Sequence, residues 1–356
     1  AKNRNKCVKL IRSGMGKKEI IDVLLTVTTG CATPSFTQIT YVLATECANK
    51  KDDIITRLKK YNLDGYYWSM IKEAFDYNKA QDIKSLLVVL FQGELNSALN
   101  HGRLTNEAQI FMREWRDSRQ YAELYKQWAE QLETELNVME QIKGESLENL
   151  VRIETFPCVD KVIALHLERE VCNGTITTEK VEAIVDSRRN KLFSDIAQHT
   201  ILALLEARRL FEEIETKMCG LHINSIKEGF NVYVNDLYTI DQHYRHYFRE
   251  ANMSESNSLL ANITPKVEQL YTNAFLSVLA KKWQPMVDDM PTWSIDSIYS
   301  QRSFYTYEVA PLINKGKRVF VIISDALRYE TMVELQQRIA HENRMECNMR
   351  APLLSM

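Results

Sequence analysis

QRSFYTYEVAPLINKGKRVFVIISDALRYE, residues 301–330, is the stretch on which the fold turns. Its first part reads as a helix stopped by Pro311 and Gly316. RVFVIIS, 318–324, is a continuous β-branched and aromatic run of strand length, apolar on both faces, which predicts a buried parallel strand. DALRYETMVELQQRIAHEN, 325–343, follows as an amphipathic helix with Leu327, Met332, Leu335 and Ile339 expected inward. RMECNMR, 344–350, is a weaker second strand. Strand, acidic turn, helix, strand is how a parallel α/β sheet begins.

Upstream the pattern is helical almost throughout. Ile83, Leu86, Leu87, Leu90 and Phe91 repeat an i, i+3, i+4, i+7, i+8 stripe, as do Ile20, Ile21, Leu24, Leu25 and Thr28. Phe36, Ile39, Val42 and Leu43 form another stripe after Pro34. Phe111, Trp115, Leu124, Trp128, Leu132 and Met139 recur across 105–144, a long helix or helix pair that Thr105 or Asn106 would cap. A further helix covers 192–219, and Thr264-Pro265 is expected to open one running to about Trp283. The fold class is therefore mainly α. A helical, bundle-like region, 1–290, leads through a linker and lead-in helix, 291–317, to the first strand–helix–strand unit of an α/β domain, 318–356.

Composition agrees. Glycine supplies 11 of 356 positions and proline 7, well below the usual ~7% and ~5%, which disfavours sandwiches, barrels and disulfide scaffolds. Lys+Arg 45 against Asp+Glu 47 gives a net charge of −2, so no general pull toward nucleic acid or anionic membrane exists. Residues 1–60 are locally basic, with twelve Lys/Arg against five Asp/Glu. Without interleaved stacking aromatics this reads first as a solvated helix face. A helical nucleic-acid-binding adaptor using 1–60, with DNA as partner, is the alternative function. Seven scattered cysteines without a CxxC pair fit a reducing cytoplasm and exclude zinc ribbons. No apolar run reaches the ~20 residues that span a bilayer. The basic start lacks an initiator methionine and a following apolar stretch, which suggests an excerpt of a longer protein.

Chemistry concentrates at Asp325, between Ser324 and Arg328. Ligands of open parallel sheets gather outside the carboxyl ends of strands, where a carboxylate suits a hard cation and a first-turn arginine suits a phosphate oxygen. The competing reading makes Asp325 a helix N-cap, and spacing alone favours it, since one carboxylate makes no metal site. His243 and His246, three apart beside Asp241, have a ligating spacing, but the surrounding Tyr238, Tyr244, Tyr247 and Phe248 argue for packing. SGMGKK, 13–18, lacks the strand and ending of a phosphate loop. No catalytic nucleophile and base can be assigned.

The wording of 301–330 resembles the start of the PglZ domain, a branch of the alkaline phosphatase superfamily found in BREX phage-defence systems. YYWSMIKEAFDYN (66–78), IDQHYRHYF (240–248), TNAFLSVLAKKWQPMV (272–287) and ENRMECNMRAPLLSM (342–356) fit the same family, type 1 BREX in particular. The resemblance implies a metal-dependent phosphatase or phosphodiesterase using Zn, Mn or Mg. Asp325 would be a metal ligand and Arg328 a substrate-binding group near it, with the nucleophile motif beyond Met356. It also implies that this chain serves as an interaction scaffold for other BREX components such as BrxB.

Overall fold

The computed structural model describes residues 2–255, 257–325, 327–342 and 347–349. Among them the chain is helical, with no strand beyond an isolated antiparallel bridge between Ile295 and Ile298. The mainly α class stands. Chain contacts divide it into two units, residues 1–166 with 187–196, and residues 167–186 with 197–356.

The first unit carries α1 (Lys2–Leu10), α2 (Lys17–Thr29), α3 (Phe36–Ala48), α4 (Asp53–Lys60), α5 (Asp64–Phe75), α6 (Ile83–Ala98), α7 (Asn106–Arg116), α8 (Ala122–Glu135), α9 (Val138–Ile142) and α10 (Leu147–Leu150). The α6 stripe is buried as its spacing requires, with Leu86, Leu87 and Phe91 fully inaccessible. Thr105 caps α7, its hydroxyl accepting from the Ala108 amide at 3.2 Å, and of the expected long helix or helix pair it is separate helices that form, α7 and α8 parting at 117–121. Trp115 and Trp128 lie in the centre of the core, and their indole N–H groups donate to the carbonyls of Tyr121 and Ala44, both at 3.2 Å. Buried aromatics keep such a polar handle satisfied. Gly93, in mid-helix, is required by close packing: a Cβ there would lie 2.3 Å from the Leu104 side chain.

One buried ion pair ties this unit together. Asp160 and Arg188 meet bidentately, Nε to Oδ1 at 2.7 Å and Nη2 to Oδ2 at 2.9 Å. The remaining Nη1 donates to the Val151 and Ile153 carbonyls at 3.2 and 2.7 Å. Each guanidinium nitrogen beside the buried carboxylate is thereby hydrogen-bonded, the condition under which such pairs are tolerated.

α11 (Cys158–Asn173) and α12 (Thr178–Arg188) run through both units. The second unit is built on α13 (Gln198–Met218) and α15 (Tyr238–Met253), with α14 (Ile226–Val232), α16 (Ile263–Gln269), α17 (Ser277–Asp288), α18 (Ala310–Asn314) and α19 (Tyr329–Ala340) around them. Leu204, Ala207, Leu210, Ile240, Tyr247, Val267 and Phe275 form its core. Helix α16 starts at Ile263, two residues before Pro265, so Thr264 is not its cap. Its hydroxyl donates instead to the Leu260 carbonyl and lies 2.6 Å from the Tyr247 hydroxyl. Three segments, Tyr233–Leu237, Leu270–Leu276 and Tyr305–Val309, widen into π-helix.

Two expectations at the C-terminal end need correction. Residues 318–324 run as irregular chain, with Phe320, Ile322 and Ile323 at 81%, 92% and 89% exposure. A strand exists only against a pairing partner, and none is present among the described residues. Helix α19 forms, but rotated from the expected face. Met332 and Leu335, with Leu327 just before the helix, are exposed and Ile339 is half-buried, while Glu330 and Val333 are buried. Of the second expected strand, 344–346 and 350 lie outside the described residues, and 347–349 are not in a strand.

Candidate functional site

The expected turn lies in the second unit, just before α19. Asp325 is exposed, in a turn four residues before α19 begins, so it does not cap that helix. Arg328 takes the N-cap position in extended conformation, and its carbonyl accepts the Met332 amide at 3.1 Å. The Arg328 guanidinium is turned onto protein. Nη2 lies 3.2 Å from Asp241 Oδ1 and Nε 3.1 Å from Glu330 Oε1.

Asp241, 4% exposed, is gripped from both sides. Its Oδ1 accepts the Tyr271 hydroxyl and its Oδ2 the Tyr233 hydroxyl, both at 2.5 Å. The two tyrosines stand on the π-helical segments, whose wider turns re-aim side chains relative to a regular helix. Burial, then the bond and charge of Asp241, push both phenols upward. Burial alone would lower Arg328; Tyr271, Asp241 and Glu330 outweigh it and hold the guanidinium charged. Tyr329 completes the seat, donating to the Val234 carbonyl at 3.2 Å and packing edge-on to Tyr238 at 5.6 Å.

A second polar layer continues along α13, α15 and α19. His243 Nδ1 lies 2.7 Å from Glu206 Oε2, and its Nε2 lies 3.7 Å from Glu213. His246 Nε2 lies 2.9 Å from Glu334 Oε2, and Arg245 pairs with the same carboxylate. Burial would lower His243, but Glu206 and Glu213 overcome it and raise the imidazole to about 8. Burial would raise Glu206, yet His243, His246 and Arg209 bring it to about 2. Glu334 likewise falls to about 2 against its own burial, through Arg245, His246 and Arg338.

These histidines are therefore held by carboxylates more than by the aromatic packing their neighbours suggested. Among the described residues no group of three or more His, Cys, Asp or Glu could hold a metal ion. Asp325 alone does not fit one either, since stable sites converge several ligands. Sequence reading missed Glu206, Glu330 and Glu334. The available signal was a carboxylate at 206 inside an otherwise apolar stripe, and Glu330 on the face of α19 that carries Val333. Beside the Asp241 seat, Tyr233 also walls an apolar cavity of about 310 Å³ with Gly229, Phe230, Leu276, Leu279, Ala280 and Trp283.

Residues 304–356, which include this turn and helix, match the BREX system PglZ alkaline phosphatase-like domain. The chain is a relative of the PglZ proteins. It is 25% identical over 300 residues to the alkaline phosphatase-like protein PglZ of Bacillus cereus (strain H3081.97), covering 81% of this chain and 35% of that one. It is 26% identical over 365 residues to the alkaline phosphatase-like protein BrxZ of Escherichia coli O9:H4 (strain HS), covering 93% of this chain and 42% of that one. The chain thus spans well under half the length of either relative. No solved structure gave a significant match. PglZ-type likeness suggests divalent metals in the full protein, whereas the described residues contain no metal cluster. No helix among them is long and apolar enough to cross a membrane.

Proposed function

We propose that this chain is the helical part and leading segment of a BREX PglZ protein, a metal-dependent phosphoric-ester hydrolase acting in phage defence in the cytoplasm. One observation carries the reading: the PglZ domain match begins at residue 304 and takes in Asp325, Arg328 and α19, while likeness to PglZ and BrxZ extends over most of the chain. In this reading Asp325 serves as a ligand to Zn, Mn or Mg in the complete protein. The helical units act as a scaffold that docks other BREX components, BrxB among them, and carries the start of the phosphatase-like domain on the second unit.

The test compares this chain with its full-length parent on an aryl phosphate and an aryl phosphodiester, with Zn, Mn and Mg supplied in turn. Metal-dependent turnover by the parent, and none by the chain alone, supports the proposal. Turnover by the chain alone that copurifies with it and disappears on Asp325→Ala, or a parent inert with every metal, would overturn it. Titrating the chain with purified BrxB tests the scaffold role, which a lack of any complex would refute.

A further inference from the structure

α19 is not seated on unit two by its apolar stripe. Met332 and Leu335 are 40% and 43% exposed, and what faces α15 is polar: Arg328, Glu330 and Glu334 meet Asp241, Arg245 and His246. Glu330 is completely inaccessible, yet neither of its oxygens has a well-aligned hydrogen bond; it relies on the Arg328 and Arg245 guanidinium groups at 3.1 and 3.8 Å. Asp241 is also buried, on the far side of the same Arg328 guanidinium. A cation placed between two buried carboxylates is hard to move, because withdrawing it strands both charges away from water.

From this geometry we infer that Asp241 is a positioning residue: through Arg328 it latches the first turn of α19 to the rest of the second helical unit. Tyr233 and Tyr271 fix the rotamer of the Asp241 carboxylate by bonding one oxygen each, and the π-helical turns place both phenols within reach. Only the Oδ1 edge then remains for a guanidinium, and its direction sets where residue 328 can stand. Arg328 is in this account a structural latch. The inference deepens the reading of 325–328 as the functional turn and rests on it for its significance, but the latch itself does not require any catalysis.

Hydrogen exchange on the full chain decides it. Arg328→Gln and Asp241→Asn should each speed exchange of the 332–338 amides about two- to fivefold, the effect expected for a half-exposed but geometrically good pair. The double variant should be no faster than Arg328→Gln alone, because that substitution already breaks the contact with Asp241 as well as the one with Glu330. Arg328→Lys, which keeps the charge, should recover part of the protection. Amides of 204–210 in α13 serve as the control for the rest of the unit. If Asp241→Asn loosens those as well, Arg328→Gln, at the more exposed partner, carries the test by itself. Unchanged exchange in Arg328→Gln, or additive effects in the double variant, would overturn the latch. Failure of the functional reading shows elsewhere, as indifference of the parent's hydrolysis to Asp325→Asn, and leaves these exchange rates untouched.

Discussion

Raising the pH should weaken the second unit through one side chain, His243. Its imidazole lies 2.7 Å from Glu206 and 3.7 Å from Glu213, and it holds its proton to about 8 in the folded chain. His246 and Arg245 on the same helix, Glu334 on α19, and Arg209 and Lys217 on α13 are further charged groups of this layer. In the unfolded chain the proton is lost near an ordinary value of about 6.5. The contribution is therefore complete below about pH 6.5 and disappears as pH rises through about 8. That interval corresponds to about 2 kcal/mol. Glu206 describes the same contact from its other side: its share is present above about pH 4.5 and is lost as pH falls toward about 2, so the two are not summed. Urea denaturation followed by circular dichroism at about pH 6 and about pH 9 measures the effect. His243→Gln, which keeps a hydrogen bond to Glu206 without the charge, supplies the reference. With a urea slope of about 2–3 kcal/mol/M, the wild-type midpoint should exceed that of His243→Gln by about 0.7–1 M at the lower pH. The gap should close at the higher one. A gap of equal size at both values would refute the reasoning.

In the first unit, Arg188→Ala should cost about 3–5 kcal/mol, since it strands the buried Asp160 carboxylate and two carbonyls. Calorimetry showing a loss under about 1 kcal/mol would mean that water or another cation replaces it. If the basic 1–60 segment bound DNA, affinity would fall steeply with salt as counterions compete; we expect no such binding at about 0.15 M salt, and a retained, salt-steep complex would revive the nucleic-acid reading.

What could be read from sequence was whatever depends on local periodicity. The α6 stripe and the Thr105 cap are local patterns, and both form as expected. The seat of α19 was not readable, because its orientation is decided by ion pairs between positions 85 to 89 residues apart, such as Arg328–Asp241 with a separation of 87, Arg245–Glu334 and His246–Glu334. Those pairs outweigh a modest apolar stripe, which then turns outward at Met332 and Leu335. The π-helical turns were hidden for another reason: each shifts the 3.6-residue phase, so Tyr233 and Tyr271 look off-register in any helical count. Residues 318–324 failed differently. Their composition states a preference for a sheet, but a strand is a property of at least two segments, and one segment cannot satisfy it alone.

The most direct test of the proposed function is Asp325→Asn in the full-length parent, with hydrolysis of an aryl phosphodiester and the melting temperature measured on the same preparation. Asp325 is exposed and lies outside α19, so the substitution should leave stability within about 0.5 kcal/mol of wild type. We predict that metal-dependent hydrolysis is lost while the melting temperature is kept. Full activity at limiting metal would contradict the assignment of Asp325 as a ligand and, with it, the proposed role of this turn.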